Sequence, residues 1–192
     1  MSVAPWIPSP KIVVEYLKYA LGVSREDVVL DLGCGDGRVL LEFAKIGATT
    51  ICIEIDRVLC NIVEVTFNIL GLGDKARIIC KDFFKVDLLE IKPRPTIVYT
   101  YLYPSVLEAL ARKFEDELDF CTVIVSLDFP IRDWSPVYVR HLVDENDHSR
   151  VVWIYVNGIS NPKARTLEAK IIDIDECAHM CVEKCKRRLF MY

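Results

Sequence analysis

The sequence predicts a doubly wound α/β fold: a mostly parallel seven-stranded sheet between helical layers, ending in an antiparallel hairpin and a C-terminal tail. From residue 28 onward, strand-like and helix-like segments alternate. Runs such as Thr49-Thr50-Ile51-Cys52-Ile53 have no polar face, so strands made of them must be covered by helices on both sides, as parallel strands are. The apolar run Val28-Val29-Leu30-Asp31-Leu32 also passes directly into Gly33-Cys34-Gly35-Asp36-Gly37-Arg38, a glycine turn that opens a helix.

The opening Ala4-Pro5-Trp6-Ile7-Pro8-Ser9-Pro10 carries three prolines, which exclude regular structure. Ser9 then reads as a helix N-cap with Pro10 at the first helical position. Val13, Val14, Leu17, Ala20 and Leu21 follow the helical period until Gly22 stops it. The first strand is residues 28–32, a helix covers about 37–46, the second strand 49–55, a helix about 57–70 and the third strand 76–80. A fourth strand at 96–102, a helix at 104–118 and a fifth strand at 122–127 continue the series. There the alternation stops. Residues 137–143 and 150–156 read as two strands joined by the polar turn Asp144-Glu145-Asn146-Asp147-His148.

With 192 residues the chain holds one core, assigned to residues 1–160, and an extension at 161–192. A net charge of −4 argues against a protein that grips nucleic acid through a basic face. No run of about 18 apolar residues spans a membrane, and residues 1–10 lack a basic start and an apolar core, so a cytoplasmic protein is expected. Five of the eight cysteines (Cys34, Cys52, Cys60, Cys80, Cys121) sit in or beside predicted strands, the turn and the helix at 57–70. In a reducing cytosol they read first as small apolar residues, with disulfides, which the cytosols of hyperthermophiles tolerate, as the open alternative. In the extension Cys177, Cys181 and Cys185 recur every four residues, a spacing that suits a buried helical stripe better than a metal or Fe–S site. Leu167, Ile171, Ile174 and Ala178 prolong that stripe, which is expected to dock on the domain or pair two copies into a homodimer.

The glycine turn marks a ligand site. Without side chains at Gly33 and Gly35, backbone amides and the N-terminus of the next helix meet a ligand directly. A dinucleotide fingerprint would place its last glycine at position 38, which is Arg38. Asp31 lies two residues before the first glycine. Glu54, near the end of the second strand, is placed to accept both hydroxyls of a ribose. Asp82, just after the third, can accept from an adenine amino group while Phe83 covers the ring. The pattern resembles motif I of the class I S-adenosylmethionine-dependent methyltransferases, whose cofactor would then lie on Asp31, Gly33, Gly35, Glu54, Asp82 and Phe83. In such enzymes the end of the fourth strand, here Tyr99-Thr100-Tyr101-Leu102-Tyr103-Pro104, lies near the transferred methyl. Tyrosines such as Tyr101 would offer a sulfonium cation–π contact and a long amine an apolar passage, unless they simply pack at the strand edge.

Longer strings sharpen the resemblance. Pro5-Trp6-Ile7-Pro8-Ser9-Pro10, the 31–38 turn, Glu54, Asp82-Phe83-Phe84 and Ser126-Leu127-Asp128-Phe129-Pro130-Ile131-Arg132-Asp133-Trp134-Ser135-Pro136 are together similar to the archaeal seven-β-strand protein-lysine methyltransferases. Those are in turn similar to mitochondrial enzymes that methylate an ATP synthase subunit. The match runs from about residue 3 to 158 and leaves out the extension. It implies that S-adenosylmethionine is the methyl donor, that lysine-bearing proteins are the substrates, and that Phe129 and Trp134 help build a lysine channel. Asp128, where the archaeal enzymes carry Glu, would orient the amine or receive its proton. The same fold also serves methylation of RNA or a small molecule, and a cofactor-binding module without catalysis is the third expectation.

Overall fold

In a computed structural model, residues 6–161 are described. The strands are β1 (Val28–Leu32), β2 (Thr49–Glu54), β3 (Ala76–Cys80), β4 (Ile97–Thr100), β5 (Val123–Leu127), β6 (Tyr138–Val143) and β7 (Ser149–Val156). They form one sheet in the order β3-β2-β1-β4-β5-β7-β6. The first five are parallel; β7 runs antiparallel to both β5 and β6, as expected of the terminal hairpin. The helices are α1 (Lys11–Ala20), α2 (Arg38–Ile46), α3 (Arg57–Ile69) and α4 (Pro104–Glu117). Between β3 and β4 the chain makes two short 3-10 turns, Phe83–Lys85 and Leu88–Glu90.

The period of two along each strand divides the core. Val29 of β1 and Cys52 of β2 face Val13 and Leu17 of α1, Phe43 of α2 and Phe67 of α3. Leu30, Leu32, Ile51 and Ile53 face the other way, toward Leu110 and Phe114 of α4, Leu88 and Ile91. All five residues of β1 are buried, which is why no polar alternation was legible there. Each such apolar side chain stabilises the fold by about 1.5–3 kcal/mol on burial.

Two local expectations change. Pro10 itself is the N-cap of α1 and makes no side-chain cap bond; the hydroxyl of Ser9 instead shares a buried 2.8 Å hydrogen bond with the Tyr99 hydroxyl, tying the N-terminal segment to β4. The cysteines are not all thiols: Cys34 is paired with Cys52 and Cys60 with Cys80, with Cα atoms 5.5 and 6.1 Å apart. The first pair joins the glycine turn to β2 and the second joins α3 to β3, bringing together residues 18 and 20 positions apart, a proximity that spacing alone does not reveal. The helical stripe and pairing expected of the extension lie outside the described residues. Among the described residues no helix is long and apolar enough to cross a membrane.

Candidate active site

The strand order reverses between β1 and β4, so the connections leaving these two strands diverge and open a crevice at their C-terminal ends. Gly33 continues the sheet by donating its N–H to Ile53 O at 2.8 Å. Gly35 has φ +57°, and a Cβ there would lie 2.0 Å from Nε1 of Trp6, whose ring covers the turn. Only glycine fits beneath that indole. The Arg38 guanidinium lies 5.7 Å from the Trp6 ring and is itself held by Asp36 at 2.8 Å.

Glu54 ties the segments around the crevice together. Its Oε2 accepts the Gly35 N–H at 3.0 Å, and its Oε1 accepts those of Ile55 and Asp56 at 2.8 and 3.0 Å. A carboxylate has about four acceptor positions, so one on Oε2 remains open. Asp56 then caps α3 through the N–H of Val58 at 2.7 Å. Asp82 accepts from the Phe84 N–H at 2.9 Å, leaving its second oxygen available, and Phe83 is half-buried beside it. The Asp31 side chain is buried and forms no hydrogen bond or ion pair with the described residues. Burial, together with the charges of Glu54 and Asp36, holds its carboxyl well above the usual carboxylate range.

On the other side of the switch point, Tyr101 and Asp128 follow directly on β4 and β5. Arg150, near the start of antiparallel β7, reaches both: Nη1 donates to Tyr101 Oη at 2.9 Å and to Asp128 Oδ2 at 2.8 Å. Its Nε donates to Asp144 Oδ2 at 2.8 Å. Burial pushes the Asp144 carboxyl up, but the N–H groups of His148 and Asn146 and the Arg150 guanidinium outweigh it and hold the group at about 2. Burial and the Asp128 charge raise Tyr101, so its phenol stays protonated at neutral pH. Phe129 is half-buried and its ring lies 6.3 Å from that of Tyr103, at the exposed rim.

Trp134, expected to help build the channel, turns its indole toward the core. It is 6% exposed and packs edge-on against Tyr155, 6.0 Å between centroids, in the core beneath α4. The loop from Asp128 folds back over the sheet, with the Ile131 N–H donating to Tyr155 Oη at 3.0 Å, and carries the indole inward. Two residues at the crevice had no assigned role in the sequence. Arg150 gives no local signal, being one charge at a strand start; Trp6 does, as an aromatic residue fixed between prolines.

Residues 31–138 match the ANTKMT methyltransferase domain. The chain belongs to this methyltransferase family. It is 35% identical to a protein-lysine N-methyltransferase of Saccharolobus islandicus over 158 residues, covering 80% of this chain and 94% of that one. It is 29% identical to the adenine nucleotide translocase lysine N-methyltransferase of Mus musculus, covering 83% of this chain and 66% of the relative. Among solved structures, an RNA methyltransferase from Salinibacter ruber in complex with S-adenosyl-L-homocysteine superposes with a TM-score of 0.69 at 31% identity, covering 78% of this chain and 93% of that one. S-adenosylmethionine, the methyl donor of such enzymes, carries an ammonium, two ribose hydroxyls and a flat heterocycle. The buried Asp31 carboxylate, without a partner among the described residues, an open acceptor position on Glu54 and an aromatic ring beside Asp82 suit those groups.

Proposed function

We propose that this methyltransferase transfers a methyl group from S-adenosylmethionine to the side-chain amine of lysine in protein substrates. The observation that carries the reading is the junction after β4 and β5, where Tyr101, Asp128 and the Tyr103–Phe129 pair meet beside the glycine turn. Relatives named for lysine as the acceptor support it. In this reading Gly33 and Gly35 admit the cofactor to the backbone, Asp31 pairs with its ammonium, Glu54 accepts from the ribose, Asp82 accepts from the adenine amino group and Phe83 covers the ring.

Held by Asp31, Glu54, Asp82 and Phe83, the cofactor would supply a methyl already activated on sulfur, which the lysine nitrogen would take up in exchange for a proton released to Asp128 or solvent. The protein's task is alignment and delivery of a neutral amine. Holding lysine neutral at pH 7 costs about 4–5 kcal/mol against a reference pKa near 10.4, and desolvation between Tyr103 and Phe129 supplies part of it. Asp128 accepts from the amine and fixes its direction. The work belongs in the cytoplasm, on protein rather than nucleic acid, a reading in keeping with the net charge of −4.

Tritiated S-adenosylmethionine, incubated with the enzyme and a cell lysate, tests the acceptor. Label that protease releases and acid hydrolysis recovers as methyl-lysine is the expected result; nuclease-sensitive label, or label confined to small molecules, would overturn it. Asp128→Asn should reduce turnover at lysine while leaving the cofactor Kd within about threefold, or 0.65 kcal/mol.

The lone carboxylate gives a further expected outcome. Because burial raises the Asp31 pKa in the folded protein, the native state holds this proton more tightly than the unfolded chain does. Its ionisation therefore costs stability as pH rises above the unfolded value near 3.9. Asp31→Asn should raise the melting temperature of the ligand-free enzyme at pH 7 by about 2–4 °C, the equivalent of roughly 1 kcal/mol, and weaken cofactor binding about tenfold. A mutant that melted lower and bound equally well would remove Asp31 from the site.

A further inference from the structure

Arg150 joins three strand ends. Its guanidinium spans Tyr101 after β4, Asp128 after β5 and Asp144 after β6, and its side chain is 19% exposed. Asp128 is held from both sides: its Oδ1 accepts the Val151 N–H at 3.1 Å while its own N–H donates to Val151 O at 2.7 Å, and its backbone adopts φ +65° to do so. A guanidinium only donates, so the Tyr101 oxygen is the acceptor in their contact and its proton turns away from Arg150.

The charges matter more than the geometry alone. A bare carboxylate beside a lysine stabilises the ammonium form, which cannot accept a methyl. Arg150, whose single positive charge is shared with Asp144, offsets part of the charge of Asp128 and leaves it acceptor positions for an amine. Among the described residues the other ionisable groups facing the cluster are Asp144, already paired with Arg150, its neighbour Glu145, His148, whose Nδ1 lies 3.6 Å from Asp144, and Tyr99 and Asp31 on the neighbouring strands. We propose that Arg150 is a positioning residue for methyl transfer, which fixes Asp128 and Tyr101 at the crevice and keeps the carboxylate from trapping the substrate amine as its ammonium. This rests on the reading that Asp128 and Tyr101 face the amine.

The test is the pH profile of kcat/KM on a lysine-containing protein substrate for the wild type, Arg150→Gln, Arg150→Lys, Asp128→Asn and the double variant Asp128→Asn/Arg150→Gln. Arg150→Gln exposes the carboxylate charge, so its rise with pH should move up by about one unit, a tenfold loss on the acid side. Arg150→Lys keeps the charge and should keep the wild-type midpoint even where KM rises with loss of the fork. In the double variant the midpoint should return to the wild-type value, with the cofactor Kd within threefold throughout. A purely structural role would lower melting and rate in Arg150→Gln without moving the midpoint, and that result would overturn the proposal. If Asp128→Asn alone matched the wild type in rate and profile, the placement of Asp128 at the amine would fail instead, and the role of Arg150 with it.

Discussion

Replacing Glu54 with alanine is expected to weaken S-adenosylmethionine binding by about 1.5–3 kcal/mol, roughly 10- to 150-fold in Kd by calorimetry. Two losses combine in that figure. The acceptor proposed for the ribose disappears, and the N–H groups of Gly35, Ile55 and Asp56 lose the carboxylate that aligns the glycine turn with the start of α3. Glu54→Gln keeps one acceptor oxygen and should lose less. An alanine variant with an unchanged Kd would show that the cofactor does not use the end of β2.

Trp134→Ala should destabilise the protein by about 3–5 kcal/mol, as expected for emptying a core aromatic site. The indole fills the space between Tyr155 and the residues beneath α4, and with Ile131 it supplies the buried apolar side chains of the loop from Asp128 to Pro136. Denaturant unfolding reads the loss directly. At a temperature where the variant is still folded, its cofactor affinity should remain near that of the wild type. A variant of unchanged stability whose turnover alone collapsed would return Trp134 to the substrate channel.

The different fates of Trp134 and Phe129 show what a sequence conveys. Both stand in one string after β5, and nothing in their spacing distinguishes the ring that meets the crevice rim from the one turned into the core; a backbone reversal decides it. Strands were legible because burial on both faces leaves an apolar run, and the glycine turn because only glycine accepts its dihedral angles and the indole above it. Asp31, Glu54 and Asp82 were legible because parallel strands align their ends, so position along the chain translates into position around the crevice. Arg150 was not, because its meaning comes from β7 running backward beside β5, and long-range antiparallel pairing leaves no trace within ten residues of it. The cysteine pairs were hidden because each joins a residue outside the sheet, Cys34 in the glycine turn or Cys60 on α3, to a strand distant in sequence.

The switch point also divides labour along the chain. Groups proposed for the cofactor fall between Asp31 and Phe83, whereas those proposed for the acceptor fall between Tyr101 and Arg150, with Trp6 and Ser9 lying across the boundary. Hydrogen bonding from β1 to β4 is the principal seam between the two portions of the sheet. A family built this way can acquire new targets by rewriting its second half while the donor site is inherited intact. Chimeras joined just before β4, with the N-terminal segment exchanged alongside the second half, are therefore the natural units in which to transplant substrate preference from one relative to another.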